Sequence, residues 1–265
     1  MAQTRFSSIN VIAADIRSVS IEAQTDPWRP EPEIEECIEK GLVENPPKFN
    51  GSCIQIRLFS FDQLRRKLLL AVGWGRFTDR KFTNLDPLLR KRYPEPAYWF
   101  NALTPGAVVL AADNKIFLSR RSNEVDLSKG RIDIPCGHPS GLREMPSGST
   151  FISQVIKDVV FRETGNVHMK GLHPLVLLQE FPHNDFDLIY VVRVAESGSQ
   201  LATQAPGNKP VFLLEANPDK VTRFLQDNRE NMSRPTAAAL LLFGARAFGQ
   251  EWFETEIVRL EGTIA

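Results

Sequence analysis

The stretch "SQVIKDVVFRETG", residues 153–165, has a helical rhythm and sets Arg162 beside Glu163 near its end. Carboxylates on a helix can hold a divalent cation, because Mg²⁺ takes hard oxygen ligands. The other acid of this stretch, Asp158, lies five residues before Glu163. That is roughly 140° away on a helix of about 3.6 residues per turn, so the two do not converge. Arg120 and Arg121 close a strand-like run, and guanidinium matches phosphate geometry. Strand alternation sends the two to opposite faces, so at most one enters a common cleft. Glu180, Asp185 and Asp187 lie in or beside the turn "PHND", which also holds His183. An ordinary turn with solvated ends explains that group.

Several other chemistries find no support. Cys37, Cys53 and Cys136 are scattered, without a CxxC, which argues against a zinc site and a disulfide framework. "GWGRF" lacks the Lys-Ser/Thr of a phosphate loop. Trp74, Phe77 and Phe82 read as core packing rather than a stacking platform for a base or sugar.

The elements that must position these residues follow from periodicity. "INVIAADIRSVSIE" alternates as one or two strands, and "PEPEIEECIEKGL" reads as a short helix ended by Gly41. "CIQIRLFSF" and "KLLLAVGW" are strands across the charged link "DQLRRK". "LDPLLRKRY" reads as a short helix and "PEPAYWFNALTPG" as a covering loop. "GAVVLAADNKIFLSRRS" is a hairpin turning at Asp113-Asn114. "GRIDIPCGHPSG" is a short strand running into a Gly/Pro loop. The helix through Glu163 opens with Ser149 or Thr150 as N-cap and closes at Gly165. "LHPLVLLQEF", "FDLIYVVRVAE" and "KPVFLLEA" are strands. Asn217 caps a helix with Pro218 at its first position, and "RPTAAALLLFGARAFGQ" is a long apolar helix. Mixed strands with two or three covering helices imply an α/β sandwich. Residues 1–100 form a β-rich extension packed on a main domain at 101–265.

The chain has 265 residues, 42% of them hydrophobic, which suffices for a core. Its 32 basic and 32 acidic residues cancel, so no global charge favours nucleic acid or a membrane surface. No apolar run reaches the length of a membrane span. The reduced-thiol pattern fits an intracellular, cytoplasmic protein. A Ser-rich start with Arg5 and no acid before Asp15 leaves an organelle-targeting segment as the alternative.

From about residue 46 to 250 the order of features resembles the Nudix hydrolases, and within them the divergent UDP-sugar-hydrolysing branch. The matching features are "PPKF" with its following strand, "FTDRKFTN", "LTPGAVVLAADNKIFLSRRS", "GRIDIPCGHP", the helix ending in Glu163, "KPVFLLEAN" and the apolar C-terminal helix. The resemblance implies an α/β/α sandwich with a mixed sheet. It also implies a box, G-x5-E-x7-R-E-U-x-E-E-x-G-U, whose glutamates bind Mg²⁺ or Mn²⁺ around a diphosphate bond. Anchored on Glu163-Thr164-Gly165, the box wants carboxylates at 159, 162 and 163, which share a helical face. This chain has Val159, Arg162 and Glu163 there. Arg162 sets a fixed positive charge beside the place of a dication. The preceding loop is longer than the box allows, and Glu144 is a candidate for its upstream glutamate. Glu180, Asp185 or Asp187 could supply a further acid.

Two readings stay open. In the first, the chain hydrolyses a nucleoside diphosphate linked to another moiety, such as a UDP-sugar, through metal-activated water. Glu163 is then the surviving catalytic residue and metal ligand, with Arg120, Arg121, Gly137, His138 and Arg162 toward the substrate. In the second, it is a non-catalytic nucleotide-binding or scaffold protein without metal, and Arg162 stands where a cation stood. A blander version pairs Arg162 with Glu163 or Asp158 on a solvated face. The expected partner is a nucleotide-type small molecule in either case.

Overall fold

The computed structural model describes residues 5–6, 8–24, 26–46, 51–84, 87–95, 98–123, 128–139, 150–181, 183–207 and 209–262. The first part of the chain gives β1 (Arg5–Phe6), β2 (Ile9–Ala14), β3 (Ser18–Ala23), α1 (Pro32–Glu44), β4 (Ser52–Asp62), β5 (Lys67–Arg76), α2 (Phe77–Asn84) and α3 (Pro87–Arg92). Next come β6 (Ala102–Leu110), β7 (Lys115–Arg120), β8 (Ile132–Asp133), α4 (Phe151–Thr164), β9 (Met169–Glu180) and β10 (Asp185–Val194). The last elements are α5 (Gly198–Gln204), β11 (Val211–Glu215), α6 (Pro218–Asn228), α7 (Arg234–Phe248) and α8 (Gln250–Gly262).

The eleven strands among the described residues join one mixed sheet. Its main path runs β1-β2-β9-β10-β6-β4-β5-β3, with β7 beside β6 and carrying β8 and β11. β10 and β6 are parallel, as are β3 and β5, and the other strand pairs are antiparallel. Alternation along β10 shows the two faces. Leu188, Tyr190 and Val192 pack with the apolar stripe of α4, which is Ile152, Val155, Ile156, Val159 and Val160. Ile189 and Val191 pack on the opposite side with α6, α7 and α8. This is the α/β/α sandwich with a mixed sheet that the sequence implies. Burying such aliphatic side chains stabilises the fold by about 1.5–3 kcal/mol each.

Several local expectations change. α1 does not stop at Gly41; it runs on to Glu44, and the Asn45 N–H bonds the Gly41 carbonyl. Gly41 instead marks a close approach, since a Cβ there would lie 2.5 Å from the Phe82 ring. Thr150 precedes α4 in a helical conformation and makes no side-chain capping bond, while Ser149 lies outside the described residues. Gly165 does end α4, at φ 79°, where a Cβ would also press on the Gln204 carbonyl. "PEPAYWFNALTPG" is not all loop, because β6 begins at Ala102. α2, α5 and α8 join the helices that periodicity revealed. Phe77 is buried beside Phe100, Phe82 packs with α1 and α3, and Trp74 is half-buried opposite Ile54. No helix among the described residues is long and apolar enough to cross a membrane.

Candidate functional site

β7 and the residue that follows it deliver two side chains to the α4 side of the sheet. Phe117 packs with the α4 core, so Ser119 and Arg121, two and four residues on, follow it to that side. Arg120 goes the other way: its guanidinium lies over the Phe212 ring and donates to the Gly130 carbonyl at 2.6 Å. One arginine of the pair therefore enters the cleft, and it is Arg121. Asp133 of β8 pairs in register with Ser119. Ser119, Arg121, Ser122, Asp133, Cys136, Glu163 and Lys209 line one open cleft with Ile134.

Each charge in the cleft has a partner. Arg121 Nη1 donates to Asp133 Oδ2 at 2.7 Å and contacts Cys136 Sγ at 3.4 Å. Asp133 Oδ1 accepts from Ser233 Oγ at 2.8 Å and from Thr236 Oγ1. Burial, and then the Asp133 carboxylate, push the Cys136 thiol well above its ordinary range, so it stays protonated. Glu163, at the last turn of α4, receives Lys209 Nζ at 3.3 and 3.2 Å and Ser119 Oγ at 3.4 Å.

The rest of the α4 end differs from the expected metal face. Val159 is fully buried in the core, because it lies at the centre of the apolar stripe rather than on an outward face. Arg162 pairs with neither Glu163 nor Asp158. Its Nη2 donates to the His138 carbonyl at 3.1 Å, and Asp158 receives Gln154 Nε2 instead. Glu144 lies outside the described residues. A divalent ion at the end of α4 does not fit the described residues there. One expected ligand position is core valine, one is an arginine, and the single acid already holds an ammonium and a hydroxyl. Among the described residues, no group of three or more His, Cys, Asp or Glu side chains is arranged to hold a metal.

The Gly137–His138 loop runs along β6, with the Gly137 N–H donating to the Pro105 carbonyl at 3.0 Å. Burial, with Arg80, Arg121 and Arg162 adding to it against Asp185, pushes the His138 imidazole down to about 3. It is neutral at physiological pH, and its buried Nδ1 has no hydrogen-bond partner among the described residues.

The "PHND" turn does not have solvated ends. Asp185 and Asp187 are buried, and Glu180 pairs directly with Asp185 across β9 and β10. By register all three face the side that carries Ile189 and Val191. Arg80 of α2 binds Asp185 through both oxygens, and Asn84 adds a bond at 3.2 Å. Burial, then Asp185, raises Glu180 to about 7. Burial, then Glu180 and Asp185, raises Asp187 well above the usual carboxylate range. His183 is half-buried, its Nδ1 3.5 Å from Arg90 Nη1 and 3.4 Å from the Asn84 carbonyl.

Sequence reasoning missed Ser119, Asp133, Cys136, Lys209 and Arg80. Period-two alternation would have placed Ser119 with Arg121. The β7–β11 register, Val211 opposite Ser119, carries Lys209 toward Arg121 when extended by two residues. Arg80 lies within "FTDRKFTN", where no apolar periodicity assigns it a role.

No protein-family model matches the chain, and no curated protein matches it. Solved structures similar to it include Tm1382, provisionally assigned as a Nudix hydrolase, at 13% identity and a TM-score of 0.39. That match covers 77% of this chain and 94% of the other. A Nudix hydrolase from Nitrosomonas europaea is similar at 14% identity and a TM-score of 0.34, over 54% of this chain and 88% of its own. Likeness at this level assigns neither a substrate nor an activity to the present chain.

Proposed function

We propose that this chain binds a diphosphate-bearing nucleotide without a metal ion, on a sandwich of the Nudix type, and does not hydrolyse it. The observation that carries this reading is the Lys209 ammonium on Glu163. It supplies a fixed protein charge where the resemblance wants a dication. Arg121 adds a guanidinium to the same cleft, and Ser119 adds a hydroxyl. Fixed donors of this kind can hold phosphate oxygens but do not activate water. The function of a fold rests on its site, and at 159, 162 and 163 this chain offers one of the three acids that the resemblance asks for.

The test is incubation with UDP-glucose, ADP-ribose and diadenosine polyphosphates, with and without Mg²⁺ or Mn²⁺. The expected result is no nucleoside monophosphate, together with thermal stabilisation by at least one nucleotide in metal-free buffer. Release of monophosphate that depends on metal and is lost in Glu163→Gln overturns the reading.

A second reading, a hydrolase, is favoured by one observation. Half-buried Glu180 and buried Asp187 are acids with raised proton affinity on neighbouring strands. Perturbed acids of this kind cluster at active sites. Under it, turnover would fall in Glu180→Gln and Asp187→Asn and persist in Glu163→Gln.

A further inference from the structure

We propose that Glu163 is the cleft's own anion, occupying the subsite of a phosphate group, and that a diphosphate must displace it to bind. This rests on the binding reading above and names the groups that would take the phosphate: Lys209 Nζ and Ser119 Oγ, beside Arg121.

Three features of the cleft support it. First, Glu163 sits on the last turn of α4, where the helix dipole disfavours a negative charge. Its own helix therefore does not explain its place; Lys209 and Ser119 do. Second, the contacts are long. Distances of 3.2, 3.3 and 3.4 Å lie at or beyond the usual range for such bonds. Third, both partners reach solvent, with side-chain exposures of 23% for Glu163 and 42% for Lys209.

Asp133 in the same cleft behaves differently. Arg121, Cys136, Ser233 and Thr236 all contact its carboxylate, and its side chain is only 6% exposed. It is a fixed part of the wall. Glu163 is the acid that can leave. A phosphate has more oxygens than a carboxylate, so it can take the ammonium and the hydroxyl and still face the Arg121 guanidinium. The ligand class is a diphosphate, free or as the diphosphate of a nucleotide.

The experiment is calorimetric titration of inorganic pyrophosphate into the full chain at about 0.15 M salt, with chelator present. Wild type, Glu163→Gln, Lys209→Met and the double variant are compared, each first shown to melt cooperatively. Glu163→Gln should bind about fivefold more tightly, the size expected from releasing a partly exposed ion pair. Lys209→Met should bind at least about tenfold more weakly than wild type, and the double variant should show no gain from the glutamine. If wild type binds while Glu163→Gln binds equally or less well, the displacement proposal falls and the binding reading stands. If no variant binds, both fall. A loss in Glu163→Gln that appears only when the titration is repeated with Mg²⁺ in place of the chelator makes Glu163 a metal ligand and overturns the proposal.

Discussion

Arg80 and Asp185, 105 residues apart in the chain, form a two-pronged buried ion pair, with Nη2 2.6 Å from Oδ2 and Nε 3.0 Å from Oδ1. Their side chains are 9% and 4% exposed. The pair fastens α2 to the start of β10, beside the acids Glu180 and Asp187. Arg80→Met keeps most of the buried stem but leaves the Asp185 carboxylate without its cation. The expected cost is about 3–5 kcal/mol, read from urea unfolding at pH 7. Replacing both partners by apolar residues should recover much of that loss.

Val159→Glu restores, on paper, an acid that a metal-binding helix would carry. In the fold it drives a carboxylate into a fully buried site among Val155, Ile156 and other aliphatic side chains. The expected outcome is a loss of at least about 3 kcal/mol and no gain in Mn²⁺ affinity. A thermal melt reads the first, and a Mn²⁺ titration of the folded fraction reads the second.

These two positions show what the sequence could and could not convey. The hairpin at Asp113-Asn114 was legible because tight turns demand particular residues, and Asn114 does adopt a positive φ of 56°. The start of α6 was legible because Asn217 caps the Lys220 N–H ahead of Pro218. α2 was not. The residues it buries include Thr78, Asp79, Arg80, Thr83 and Asn84, so apolar periodicity gives no signal there. Its start is fixed by Asp79 accepting the Arg76 N–H at 2.7 Å. The end of α4 at Gly165 was legible, and the burial of its middle around Val159 was not. The spacing of 159, 162 and 163 is compatible with a shared face, but the valines around 159 assign that part of it to the core. The pairing of Glu163 with Lys209 spans 46 residues and depends on how β11 lies against β7.

The acids facing α7 make stability depend on pH. Glu180 is raised from 4.5 to about 7 in the fold. Across that window folded Glu180 binds more protons than unfolded Glu180, so its contribution to stability falls as pH rises and levels off above about 7. Asp187, raised well above 3.8, acts with the same sign. Glu180→Gln should flatten the decline, seen as a smaller drop in urea midpoint between pH 5 and 7.5 than in wild type. An unchanged slope would contradict the assignment.

Gly41→Ala should destabilise, although alanine is the better helix former by about 1 kcal/mol. The new methyl would meet the Phe82 ring at 2.5 and 2.6 Å, forcing α1 and α2 apart. The expected net loss is about 1–2 kcal/mol by thermal unfolding. The companion Gly41→Ala/Phe82→Leu should recover part of it.

The continuity of the sheet constrains how this molecule can be dissected. β2 borders β9, and Ile54 and Gln55 of β4 border Leu103 and Ala102 of β6. A fragment starting after residue 100 would bare two rows of unpaired peptide groups, one on each flank of the β9–β10–β6 unit. Raw margins of that kind recruit other chains. Ligand studies therefore call for the full 265-residue chain, and versions lacking residues 1–100 are poor surrogates for it.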